Sequence, residues 1–192
     1  MAVDAGGVLG LVLVVGLLWV ALSPVVFRLF VLPAFARRRG WRARGMPVGY
    51  QPEGDLPGDG SQGWETPLPG MMCEFLGTYG GRPVHGIEVS VAHWRKHRPV
   101  HGSRKSVRYY SVVTMAVSDR PFQGFNAGRR GTVVNGDPMA FYPDFVEWAR
   151  NRKLLDTGDV VQEDAGMRSV SWFGHLSKRR MTRALDKLAG TA

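Results

Sequence analysis

From Ala5 to Phe27 the chain reads AGGVLGLVLVVGLLWVALSPVVF, 23 residues without a charged side chain. About 20 apolar residues in a helix cross the hydrocarbon core of a bilayer, so the run predicts a transmembrane helix over 5–27 behind a short N-terminus, 1–4. A cleaved secretory signal is the competing reading, because Ala34-Phe35-Ala36 has the form of a cleavage site. Three features oppose it: the leader carries Asp4 and no base, the apolar region exceeds the roughly 7–15 residues of a signal core, and arginines follow the triplet at once.

Those arginines predict the direction of insertion. Arg37, Arg38, Arg39, Arg42 and Arg44 crowd one short stretch, and basic flanks are retained on the cytoplasmic side while acids count for little. The expectation is a single-pass cell-membrane protein with its N-terminus outside and everything after Arg37 in the cytoplasm. Segment 28–44 then reads as an Arg-rich juxtamembrane stretch in which Trp41 and the arginines meet the headgroups, each base adding about 1 kcal/mol of attraction to an anionic leaflet. Pro24 is expected to kink the exit, leaving Leu29 to Ala36 along the interface. Gly6 and Gly10 form a GxxxG pair, a spacing that lets two membrane helices approach and predicts helix–helix association.

Residues 45–70 hold seven glycines, five prolines and four acids with no base. No apolar periodicity survives there, so the stretch reads as a flexible tether between membrane and domain, with a reach on the order of 30 Å.

From Met71 the pattern becomes that of strands, and 71–192 is expected to be one cytoplasmic domain. Met72–Tyr79 ends at the Gly80-Gly81 turn signal, and Val84–Val91 alternates Ile87, Val89 and Val91 with Glu88 and Ser90, as a strand with one buried face does. Val107–Val117 is apolar on both faces, the mark of a central strand. Shorter candidates are 122–125, 132–134 before Asn135-Gly136, 160–162 and Arg168–Phe173. A helix is predicted over Asp144–Leu155, and a second from the N-cap Ser177 to Ala189 with Gly190 beyond it. In the second, Met181, Ala184, Leu185 and Leu188 share one face and Arg180, Arg183 and Lys187 the other. The fold class that follows is α+β, a mainly antiparallel sheet with two helices covering one face.

The run FLGTYGGRPVHGIEV, the YYSVVTMAV strand and the terminal SVSWFGHLSKRRMTRALDKLAG segment, behind an N-terminal anchor, resemble uncharacterised single-pass membrane proteins of actinobacteria. The likeness covers 71–192 and implies the architecture. It implies no activity.

Lys+Arg of 25 against Asp+Glu of 16 gives a formal charge of +9, a balance that favours anionic lipid or nucleic acid. The single cysteine, Cys73, excludes an intrachain disulfide and a cysteine zinc site, and reads as a small buried strand residue. Between the two best strands, Ala92–Ser106 carries His93, His97 and His101 at intervals of four, which on a helix would align metal ligands. Pro99 and Gly102 interrupt such a helix, and the surrounding bases repel a cation. The same loop reads better as a solvated hairpin loop, or as an anion-binding one in which Arg95, Lys96, Arg98, Arg104 and Lys105 meet phosphates and Trp94 stacks on a base or enters a headgroup layer.

Gly124–Thr132 is glycine-rich but lacks the Lys-Ser/Thr ending of a phosphate loop. There is no GxSxG and no HExxH, and the scattered acids Asp137, Asp144, Asp156, Asp159, Glu163 and Asp164 form no argued pair. The expectation is a membrane-tethered interaction module without cofactor or catalysis, binding a protein partner at the inner leaflet. The alternative is anionic phospholipid or nucleic-acid binding through the 92–106 loop and the terminal helix.

Overall fold

The computed structural model describes residues 5–50, 63–94, 105–117, 137–151, 161–164 and 166–190. Its strands are β1 (Arg42–Gly45), β2 (Met71–Tyr79), β3 (Arg82–Trp94), β4 (Lys105–Ala116), β5 (Gln162–Asp164) and β6 (Met167–Phe173). They form a six-stranded sheet in the order β1-β2-β3-β4-β6-β5, and every pairing is antiparallel. The helices are α1 (Ala5–Val26), α2 (Leu32–Arg38), α3 (Pro138–Asn151) and α4 (Lys178–Ala189), with a π-helical turn over Phe27–Val31 between α1 and α2. The chain is thus α+β, as its periodicities predict.

The strands lie where β-branched and aromatic residues alternate, and β2 turns into β3 through Gly80 and Gly81, both at positive φ. A bulge between Met71 and Cys73 sets the later alternation of β2, sending Cys73 and Phe75 to one face and Glu74 and Leu76 to the other. Helix α4 has the predicted bounds: the Ser177 side chain accepts from the Arg180 amide, and Gly190 closes it in the left-handed region.

The two helices do not share a face, which corrects the sequence expectation. Met181, Ala184, Leu185 and Leu188 of α4 pack with Cys73, Phe75, Val84, Val113, Met115, Val170 and Trp172. Tyr142, Phe145, Val146 and Ala149 of α3 pack with Leu76, Ile87, Val112, Ala116 and Met167 on the reverse side. The cause lies in β4, whose Val112 and Val113 are both buried and point opposite ways, so both faces need a cover. Helix α3 also begins earlier than Asp144: Pro138 takes the first turn, where its missing N–H costs nothing, and Asp137 caps the Met139 amide at 3.0 Å. Pro143 is tolerated inside the helix.

A second correction concerns 28–44 and 45–70. Strand β1 pairs with β2 from Arg42↔Leu76 to Gly45↔Cys73, so the glycine- and proline-rich stretch connects two neighbouring strands instead of separating membrane from domain. Its described ends are bonded to the sheet: Met46 N–H donates to the Met72 carbonyl, Tyr50 N–H to Met71, and Leu68 is buried. Upstream, Leu32 and Ala36 are buried in the core that α4 completes, so one side of Leu29–Ala36 packs on the domain while Phe30 on the other stays 67% exposed. Trp41 is buried as well. It stacks on Phe75 with centroids 5.5 Å apart and donates its indole N–H to the Thr78 carbonyl at 3.0 Å. Gly77 makes room for it, since a Cβ there would collide with the indole.

No single helix among the described residues is long and apolar enough to cross a membrane. Leu9–Leu18 and Leu22–Arg38 meet that description together, across a bend of 43°. The break falls between Leu18 and Leu22, one turn before Pro24, which has no N–H to give the Val20 carbonyl, the usual cause of such a bend.

Candidate functional site

Each face of the sheet holds one glutamate closed to solvent, and each glutamate is held by an arginine from the N-terminal segment and by a histidine. Glu74 and Glu88 are both 0% exposed. Burying a carboxylate without compensation costs several kcal/mol, roughly, so both need cations.

On the face covered by α4, Arg28 Nη2 donates to Glu88 Oε1 at 2.5 Å, and His175 Nδ1 lies 2.9 Å from the same oxygen. The Leu176 amide donates to Oε2 at 2.7 Å. The Arg28 guanidinium stands 5.6 Å over the Tyr109 ring, against which His175 is packed at 4.3 Å. Cys73 Sγ is 3.9 Å from Glu88 Oε2, and burial first, then the Glu88 charge, pushes its thiol well above the ordinary range. That thiol is expected to be inert in the folded chain, which makes it a reporter of opening.

On the other face Arg44 Nε donates to Glu74 Oε2 at 2.8 Å and His85 Nε2 meets Oε1 at 2.7 Å. Arg44 also donates to the Trp64 carbonyl and to Tyr142 Oη, and lies 4.7 Å over the Trp64 ring. His85 stacks on Phe145 with centroids 5.5 Å apart. Burial pushes the Glu74 carboxyl upward, but the His85 hydrogen bond and the charges of His85 and Arg44 outweigh it and hold it below the usual range. Enclosed carboxylates of this kind suit a clamp between segments better than acid–base work on a substrate.

The arginine cluster is therefore divided. Arg44 is engaged with Glu74, whereas Arg37, Arg38, Arg39 and Arg42 are exposed. Arg39 lies 4.5 Å over the Phe35 ring, which Lys178 of α4 approaches at 5.9 Å, and Tyr79 bonds Asp186 of α4. These contacts join the bases of α2 to Lys178, Arg179, Arg180, Arg183 and Lys187, exposed along α4. Trp41 belongs to the core and not to the headgroup set expected of it.

His93 and Lys105 lie in paired strands, opposite Ser106 and Trp94 respectively. Arg95, Lys96, His97, Arg98, His101 and Arg104 lie outside the described residues, as do 124–132 and the strand candidates 122–125 and 132–134. Among the described residues no group of three or more His, Cys, Asp or Glu is placed to hold a metal ion.

Asp144, half-buried on α3, is raised to about 6 by burial and then by Glu147 one turn on. With the folded value above the unfolded one, the folded chain keeps a proton that the unfolded chain has released between about pH 4 and pH 6. Stability should fall across that window as pH rises. Asp144→Asn is expected to remove this slope and raise the urea midpoint at pH 7; an unchanged slope would assign it to other groups.

No protein-family model, curated protein or solved structure matches the chain.

Proposed function

We propose that this chain is a membrane-tethered interaction module, with α1 in the bilayer, its N-terminus outside, and the α+β domain against the cytoplasmic leaflet, where it binds an acidic protein partner. The observation that carries this reading is the Arg28–Glu88 pair, which joins the end of an apolar helix to the middle of the sheet. Ten large apolar side chains between Leu9 and Leu22 stand 54–70% exposed, a surface far beyond what a helix in water leaves uncovered. Lipid removes it from water, at roughly 25 cal/mol per Å². Arg37, Arg38, Arg39 and Arg42, exposed just beyond the apolar run, supply the charge that retains this side in the cytoplasm.

The partner is argued from the direction of the helices. Helix α4 starts beside Leu176, whose amide binds Glu88, and reaches Tyr79 through Asp186 near the β2–β3 turn. It thus runs away from the point where α1 leaves, as α2 does, so the exposed bases of both helices are carried away from the anchor. That orientation suits an acidic protein better than a flat bilayer. A second reading, anionic phospholipid or nucleic acid on the same bases, rests on the charge alone.

A photo-crosslinker at position 183 in native membranes tests the choice. The expected result is a discrete protein adduct that disappears when Lys178 and Arg179 are replaced by Glu. Adducts with lipid alone would discard the protein partner, and digestion of the domain by protease added outside intact cells would discard the topology.

A further inference from the structure

We infer that the bilayer covers the outward side of the N-terminal helix as far as Arg37, so that Phe30, Val31 and Ala34 face lipid and the domain rests on the helix instead of hanging from its end. This inference rests on the membrane reading of α1, and it moves the edge of the bilayer from Arg28 to Arg37.

The fold withdraws the charge that would otherwise mark the exit. From Ala5 to Ala36 the chain carries one charged side chain, Arg28. Arg28 is 3% exposed and engaged with Glu88, so it presents almost nothing to lipid or water. The π-helical turn makes this possible. Closed by the Leu32 amide on the Phe27 carbonyl, it is wide enough to point both Phe27 and Arg28 inward, on the side where Leu32 and Ala36 are also buried. The opposite side then receives Phe30, which is 67% exposed, together with Val31 and Ala34, both exposed.

A lone exposed Phe is ordinary on a protein in water. Here it continues a surface. Exposed apolar side chains run from Leu9 to Leu22, Phe30, Val31 and Ala34 extend them, and one turn beyond Ala34 on the same side stand Arg37 and Arg38, both exposed. An apolar side that ends in a pair of arginines suits a helix leaving an anionic leaflet, its guanidinium groups among the phosphates.

The dimensions agree. Phe30 to Arg37 is about 10 Å along the helix. Leu22–Arg38 is inclined by 43° to Leu9–Leu18, so with the first limb along the bilayer normal this stretch climbs about 8 Å. The polar layer on one side of a bilayer is about 5–8 Å thick. Phe30 therefore lies at the edge of the hydrocarbon when Arg37 lies among the headgroups. From Ala5 to Phe30 the two limbs rise about 35 Å, which an ordinary tilt fits to a hydrocarbon core of roughly 30 Å.

Spin-label accessibility tests this in the full chain, reconstituted in phosphatidylcholine–phosphatidylglycerol vesicles. A nitroxide is attached at Leu13→Cys, Phe30→Cys or Ala34→Cys, all exposed positions, and the wild-type chain, whose one thiol is the buried Cys73, is carried through labelling as the blank. Oxygen concentrates among acyl chains and a neutral nickel chelate in water, whereas a label covered by protein meets neither. More collisions with oxygen than with the chelate are expected at all three positions, the ratio falling in the order 13, 30, 34. If 13 favours oxygen while 30 and 34 favour the chelate, α1 spans the bilayer but leaves it at Arg28, and the inference is wrong. If 34 alone favours the chelate, the bilayer ends short of Arg37 and the boundary drawn here is wrong. Labels at 30 and 34 that meet neither reagent would give this side to a second copy of the chain instead of lipid. If 13 favours the chelate, the membrane reading fails and takes the inference with it.

Discussion

A chain that begins at Met46 is expected not to fold, although it keeps five of the six strands and both helices that cover them. The truncation removes β1 and with it Arg28 and Arg44, leaving Glu74 and Glu88 closed to solvent without their guanidinium partners. Each orphaned carboxylate costs about 3–5 kcal/mol. It also strips Phe27, Leu32, Ala36 and Trp41 from the core under α4, where each large side chain contributes on the order of 2 kcal/mol. Those losses together reach the whole stability of an ordinary domain, about 5–15 kcal/mol.

Cys73 provides the readout. Its buried thiol should resist a maleimide in the full chain and react at the denatured rate in the truncated one. A chain beginning at Ser23 separates the exposed apolar stretch from the fold, because it lacks that stretch yet keeps Arg28, Arg44 and β1. Its thiol should be protected. Protection in the chain from Met46 would show that the N-terminal segment is an accessory to the domain and not a part of it.

How much of this was legible in the sequence differs by level. The positions of β2, β3, β4 and β6 could be read because alternation and turn glycines are local signals, whereas β1 could not and β5 lies at Gln162–Asp164 instead of 160–162; α4 could be read to the residue because Ser177 and Gly190 mark its ends. What could not be read is long-range. Glu88 stands among Ile87, Val89 and Val91 as a polar residue does on a solvated face, yet it is buried, and its arginine lies 60 residues away. Glu74 takes its arginine from 30 residues away, and no pattern of period 2 or 3.6 carries that pairing.

The arginines themselves were hidden by a sufficient simpler reading, the retention of positive charge at a membrane exit. Arg28 and Arg44 are marked out only by the folded chain. One signal pointed toward them. If β4 is central and apolar on both faces, then its neighbour β3 must be covered on both faces too, and Glu88 and His85 within it require partners. The stretch 45–70 misled for a related reason: its composition describes a solvated connection correctly but says nothing about whether its two ends are far apart or hydrogen-bonded neighbours.

The single substitution with the largest expected effect is Arg28→Met, and the pair it breaks ties the end of the N-terminal apolar helix to the middle of the sheet. Methionine fills most of the arginine's volume, so the lost packing is small, but Glu88 then keeps its charge with His175, the Leu176 amide and the weak Cys73 thiol contact. About 3–5 kcal/mol should be lost, read as a lower urea midpoint for Cys73 protection in the chain from Ser23. Adding Glu88→Gln should restore most of it, because the uncharged amide still accepts from Leu176 while the buried charge is gone. The recovery can be large since the native pair is not ideally satisfied: among the described residues the buried Arg28 Nε has no hydrogen-bond partner. A loss below about 1 kcal/mol for Arg28→Met would mean that Glu88 is compensated without the arginine. In the double variant Phe27, Leu32, Ala36 and Trp41 keep helix and sheet packed, so recovery of the urea midpoint there would assign the cost of Arg28→Met to the orphaned charge of Glu88 and not to lost packing.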